Sequence, residues 1–196
     1  MKTSYFTKKD FNFMKVALLS DKNTGTIFRS SSYVVNGVLE IINNKPLRQI
    51  IEYGPGDGVL TCELLKCLPP DGKLLAVEID PKFLQMLRAI SDPRLSVIDG
   101  KMQNVCQNIK AYDFNNVDLI VSSIPFSLLS KIERETVVSS TKNALAPDGM
   151  FIVFHQYSHI MAKPLRKFFG EVNIKFEIRN FFPCFIISAK KSSLLK

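Results

Sequence analysis

Gly54, Gly56 and Gly58 stand at alternate positions between the apolar run Gln49–Tyr53 and the helically spaced stretch Val59–Cys67. The order strand, tight turn, helix is what this pattern predicts. Glycine is required where the backbone takes a turn closed to most residues and lets a ligand approach where side chains would collide. The helix that starts there offers unpaired N–H groups to an anionic group. Such a turn belongs to an α/β chain whose parallel strands are joined by helices.

A second buried-type strand covers residues 73–80, and Glu78 lies twenty residues beyond Gly58. An acid at that distance is placed to accept both hydroxyls of a ribose. Asp80-Pro81 opens the next helix. A dinucleotide oxidoreductase would carry its third glycine later than Gly58, so the spacing disfavours a hydride carrier. The sequence Glu52-x-Gly54-x-Gly56-x-Gly58 instead resembles motif I of S-adenosylmethionine-dependent methyltransferases. The resemblance implies that Glu52, Gly54, Pro55, Gly56, Gly58, Glu78 and Ile79 hold that methyl donor. It also implies a Rossmann-like α/β fold: seven strands, mostly parallel with the last antiparallel, and helices on both faces of a single domain.

The length of 196 residues suits one domain with a continuous core, and 46% hydrophobic with 22% charged residues marks a globular chain. No apolar run approaches the roughly 20 residues that span a bilayer, and Lys8, Lys9 and Asp10 interrupt any secretory leader. The expected location is cytoplasmic, with peripheral attachment to the inner membrane face. Cys62, Cys67, Cys106 and Cys184 lack metal-ligand spacing and are expected to be free, mostly buried thiols. The net charge of +8 suits a polyanionic partner, either RNA or an anionic lipid surface.

Residues 1–30 read as an amphipathic helix and a hinge, and residues 31–196 as the catalytic domain. Phe11, Met14 and Leu18 recur on one helical face beside Lys8, Lys9 and Lys15. Such a helix either lies in a lipid interface or packs on the domain. Ser30-Ser31-Ser32 supplies a cap for a helix over 33–42, and further helices are predicted over 81–90, 131–146 and 163–169. Strands are predicted over 95–98, 117–123 and 150–154, with a closing hairpin of 174–179 and 184–189.

The segments around Gly25 and the serine cluster, Ser122–Ser123-Ile124-Pro125-Phe126, and Gln156-Tyr157-Ser158 after Pro147-Asp148-Gly149 widen the resemblance. They look like those of bacterial phospholipid N-methyltransferases, which are related to the ribosomal RNA adenine dimethyltransferases. Arg29 replaces the usual proline before the serines. In the family an acid after the third-strand glycine accepts the adenine amino group. Here Gly100 is followed by Lys101, so the resemblance leaves adenine recognition to the backbone around Met102. Adenine N6-methyltransferases carry Asn-x-Pro-Tyr or Asn-Pro-Pro-Tyr at the fourth strand's exit. This chain keeps the proline and an aromatic ring but has Ser123 in place of the amide.

Ser122 is thus expected near the donor, and Ser123, Pro125, Phe126 and Tyr157 near the methyl acceptor. Phe126 has three readings: a base-stacking ring, a cover for a choline-like cation, or plain core. His155 and His159 are candidate proton acceptors or structural histidines. The resemblance implies methylation of a lipid amine such as phosphatidylethanolamine, or of RNA adenine. The first explains Ser123 and the short C-terminus, where the RNA enzymes usually add a helical domain. A donor-binding protein without catalysis is a third reading, opposed by the intact glycine turn and Glu78. No metal is demanded.

Overall fold

The structure, a computed structural model, describes residues 31–43, 45–156, 159–179 and 183–193. The N-terminal helix expected within residues 1–30, together with Tyr157, lies outside the described residues.

The inner parallel strands are apolar runs because both of their faces are covered, whereas the edge strand Leu95–Asp99 is only partly buried. The parallel strands are β1 (Gln49–Tyr53), β2 (Lys73–Glu78), β3 (Leu95–Asp99), β4 (Val117–Ser122) and β5 (Leu145–Gln156). The sheet closes with β6 (Asn173–Glu177) and β7 (Cys184–Lys190), giving the order β3-β2-β1-β4-β5-β7-β6. β7 runs antiparallel between β5 and β6, as expected of the last strand.

Helices α1 (Ser32–Ile42), α2 (Val59–Cys67) and α3 (Pro81–Arg88) follow the predicted pattern. Ser31 caps α1 by accepting from the Val34 amide at 3.4 Å, and Asp80 caps α3 by accepting from Lys82 at 2.8 Å. One core layer joins α1 and α2 to Ile50, Leu74, Leu119, Ile152 and Ile186. The opposite layer places α4 (Met102–Gln107), α5 (Lys131–Ala144) and α6 (Ala162–Phe169) over Ile51, Leu75, Ile120 and Phe151. α5 opens with a reciprocal capping box: the Glu133 amide donates to the Ser130 hydroxyl at 3.2 Å, and the Ser130 amide to the Glu133 carboxylate at 2.7 Å.

Several details depart from the sequence reading. α5 stops at Ala144, and β5 begins at Leu145, well before the predicted start at residue 150. The register between β4 and β5 shifts there, and Asp148 takes a φ of 64°. A side chain on Gly149 would place its Cβ 2.8 Å from the Val117 carbonyl oxygen, so only glycine passes. Ile132, expected to pack, is exposed. Cys62 and Cys67 are exposed and only Cys106 and Cys184 are buried; all four are free.

Candidate functional site

The first four strands finish nearly level with one another, and β5 runs three residues past them to Gln156. Tyr53 is in register with Val77 and Ser122, Glu78 with Asp99, and Ser122 with Val153. Strand order reverses between β1 and β4, the point beyond which an open parallel sheet leaves a crevice for ligands. The glycine turn sits on that edge. Backbone bonds tie the strand ends together there: Gly54 to the Val77 carbonyl at 2.9 Å, Ser123 to Tyr53 at 3.1 Å, and Gly100 to Glu78 at 3.0 Å.

Gly54, Gly56 and Gly58 have φ values of 70°, 59° and 80°, all in the left-handed region that favours glycine. Their surroundings differ. A Cβ on Gly54 would lie 2.9 Å from Ile124, and one on Gly58 3.2 Å from Leu87 and Ile90. At Gly56 it would meet nothing within 4 Å, so open space lies over the middle of the turn. Pro55, between them, is buried.

Glu78 holds this turn from the tip of β2. One carboxylate oxygen accepts from the amides of Ile79 at 2.8 Å and Asp80 at 3.0 Å; the other accepts from Gly56 at 3.1 Å. An ionised carboxylate has about four acceptor positions, so the Gly56-facing oxygen is the one with capacity left for a sugar hydroxyl. Ile79 contributes its backbone to the same cluster.

Glu52 behaves differently from the sequence expectation. Its side chain is buried under the turn and accepts from the Thr61 hydroxyl at 2.7 Å, pinning the first turn of α2 to β1. Burial pushes its carboxyl from 4.5 up to about 7; the Thr61 bond opposes that rise, and the Glu78 and Asp57 carboxylates add to it. Thr61 was missed in the sequence. Its signal is a hydroxyl on the inward face of an otherwise aliphatic helix, nine residues after a strand glutamate.

At the exit of β4, Ser122 is fully buried and its hydroxyl has no partner among the described residues. The Ser123 hydroxyl donates to the Gly54 carbonyl oxygen, joining the two loops that flank the crevice. Pro125 is exposed on the same edge. Phe126 is fully buried in the core layer with Tyr53, Val105 and Val137, so of its three readings plain core is the one this packing matches. Its ring is enclosed and not presented to a base or a cation. Along the edge at β3, Gly100 is half-buried, Lys101 is exposed at the start of α4, and Met102 is buried.

The open cradle at Gly56, the carboxylate at the tip of β2 and the amides opening α2 suit an adenosyl ligand carrying an amino-acid tail. This sheet and this turn define a class I S-adenosylmethionine-dependent methyltransferase, a transferase with a Rossmann-like fold. A family model described as "Ribosomal RNA adenine dimethylase" matches residues 20–142. The chain belongs to that family.

Two relatives show how the family divides. An ornithine lipid N-methyltransferase of Singulisphaera acidiphila is 28% identical over 138 residues, 69% of this chain and 72% of that protein. A ribosomal RNA small subunit methyltransferase A of Xylella fastidiosa is also 28% identical, over 156 residues. That match covers 78% of this chain but 57% of the Xylella protein's length. In fold, the N-methyltransferase NodS from Bradyrhizobium japonicum WM9, solved with S-adenosyl-L-homocysteine, superposes with a TM-score of 0.65 at 12% identity. The match covers 89% of this chain and 96% of that one.

Two outcomes test this geometry. The Gly56→Ala variant should cost about 1–2 kcal/mol of stability for its left-handed backbone yet remain folded, because nothing clashes with its Cβ. Its new methyl projects into the cradle, so calorimetry should show S-adenosylmethionine affinity reduced at least about tenfold. The second outcome concerns Glu52, whose folded carboxyl sits above its ordinary value. The native state then binds the proton more tightly than the unfolded chain, so the Glu52 contribution to stability is fully present below about pH 4.5 and is lost as pH rises through about 7. Urea unfolding across that window should show the decline in the wild type and its absence in Glu52→Gln.

Proposed function

We propose that this chain methylates the amine of a membrane lipid headgroup, of the phosphatidylethanolamine kind, at an anionic membrane surface of the cytoplasmic side. The exit of β4 carries this reading. An adenine N6-methyltransferase of the resembled type offers an asparagine amide and an accessible aromatic ring at that exit. Here the corresponding hydroxyl of Ser123 is engaged by the Gly54 carbonyl and the Phe126 ring is enclosed in the core. A base would find neither amide nor stacking partner on this conformation of the segment. The similarity to the Singulisphaera lipid enzyme across 72% of that protein supports the same reading.

The donor supplies an electrophilic methyl group on a sulfonium. The task left to the protein is alignment of a neutral amine with that methyl. In this proposal Glu78 fixes the ribose, the Gly54–Gly58 backbone takes the amino-acid tail, and the backbone of residues 123–125 bounds the acceptor side. Ser123 keeps the two loops at fixed separation through Gly54, and Tyr157 would stand on the acceptor side. An alkylammonium headgroup arrives protonated and must lose a proton before attack. His155, half-buried at the end of β5, and the exposed His159 are the histidines nearest that side.

A second reading, methylation of RNA adenine, is favoured by the family's description and by relatives such as the Xylella protein. The two part in a single assay. Labelled S-adenosylmethionine is supplied with vesicles containing phosphatidylethanolamine and phosphatidylglycerol, with unmodified ribosomal RNA, or with neither. Label should enter the organic phase only in the vesicle reaction. Label recovered on adenine, with none in lipid, would replace the first reading by the second.

A further inference from the structure

The outer strand β6 has two dissimilar sides. Lys175 and Glu177 face α1, where Lys175 pairs with Glu40. Arg179 grips the Glu177 carboxylate through Nε at 2.8 Å and Nη2 at 2.7 Å, and lies 4.7 Å from the Tyr33 ring centroid. These contacts lock the α1 side of the strand. On the other side fall Ile174, Phe176 and Ile178. Phe176 packs on Phe185 with ring centroids 4.8 Å apart, and Phe185 meets His159 edge-on at 5.5 Å. Even so, Ile174 is 40%, Phe176 51% and Ile178 70% exposed. A lone exposed hydrophobic is ordinary, whereas two on β6 and a third just past its end form a patch that asks for an occupant.

Position and charge say what kind of occupant. Gln156 pairs with Cys184 and Cys184 with Glu177, so Glu177 lies three residues beyond the level of Val153 and Ser122, and the strip ends one residue further on at Ile178. Strip and donor turn therefore share one edge of the molecule. Lys175 and Arg179 are engaged on the α1 side, so the positive charge near the strip comes from Lys163, Arg166 and Lys167 of α6, the last of them paired with Glu135. Lys163, Arg166 and Lys167 are exposed along α6, which packs beside β7. Aliphatic and aromatic side chains flanked by lysine and arginine match a lipid interface, where the first enter the acyl boundary and the second meet phosphates. Single-stranded RNA would be met by a series of stacking rings, whereas two of the strip's three side chains are isoleucines and its one ring, Phe176, already packs on Phe185.

We propose that the strip Ile174, Phe176, Ile178, with the basic side of α6, docks on an anionic lipid bilayer and sets the β4 exit against the headgroup layer. The proposal rests on the lipid-amine reading for its purpose, but its contacts are independent of methyl transfer. A substrate that stays in the bilayer can be reached only if the acceptor edge lies at the interface, and this surface turns that edge toward it.

The test uses the full chain, vesicles of phosphatidylglycerol and phosphatidylethanolamine, and two variants, Ile178→Glu alone and Phe176→Ser with Ile178→Ser. Flotation should show the bound fraction reduced at least fivefold in both, with thermal midpoints near the wild type. Methyl transfer to short-chain phosphatidylethanolamine in detergent should stay within about twofold, since neither residue lies in the donor or acceptor machinery. Unchanged flotation of both variants would overturn the docking surface while leaving the lipid acceptor standing. Variant-sensitive flotation without lipid methylation by the wild type would support the surface and remove the acceptor reading. Sedimentation showing a wild-type dimer that both variants dissociate, without vesicle binding, would assign the strip to a second copy of the chain and overturn the proposal.

Discussion

The carboxylate of Glu78 is the contact on which the site depends. It reaches across from β2 to hold the amide of Gly56 while also closing the turn of its own strand through Ile79 and Asp80. Charge-assisted bonds of this kind are among the stronger ones a protein makes. Without it, a turn with three left-handed residues in five would have little to select one conformation, since glycine gives up more conformational freedom than any other residue. In the proposed function the same carboxylate also takes the ribose, so one acid would both recognise the ligand and shape the loop receiving it.

Beneath that turn a second carboxylate does a different job. Glu52 and Thr61 bind β1 to α2 from below, in an environment dry enough to raise the carboxyl to about 7. The two acids thus divide the motif between support and recognition. Sheet register completes the arrangement: Tyr53, Val77 and Ser122 end level, and backbone bonds from Gly54, Gly100 and Ser123 keep the loops in place as they leave the sheet.

Most of this was legible in the sequence because the responsible interactions are local. Continuous apolar runs marked the parallel strands, alternate glycines the turn, and Ser31 and Asp80 the helix starts. What was not legible depends on contacts between distant segments. Nothing near Phe126 reveals that its ring is enclosed by residues of β1, α4 and α5. The burial of Glu52 likewise depends on the docking of α2, and the early start of β5 on the carbonyls that crowd Gly149. Short α4 was not predicted, since six residues carry too little periodicity.

In the proposed function the choice of acceptor follows from the β4 exit, where Ser123 is engaged by Gly54 and the Phe126 ring is enclosed in the core. The donor site is the firmer foundation, and everything about the acceptor is built outward from it. Isothermal titration of S-adenosyl-L-homocysteine into wild-type protein and a Glu78→Ala variant of verified fold tests that foundation most directly. The account predicts a loss of affinity of about tenfold or more, the scale of one charge-assisted bond. Equal affinity in the two proteins would contradict it.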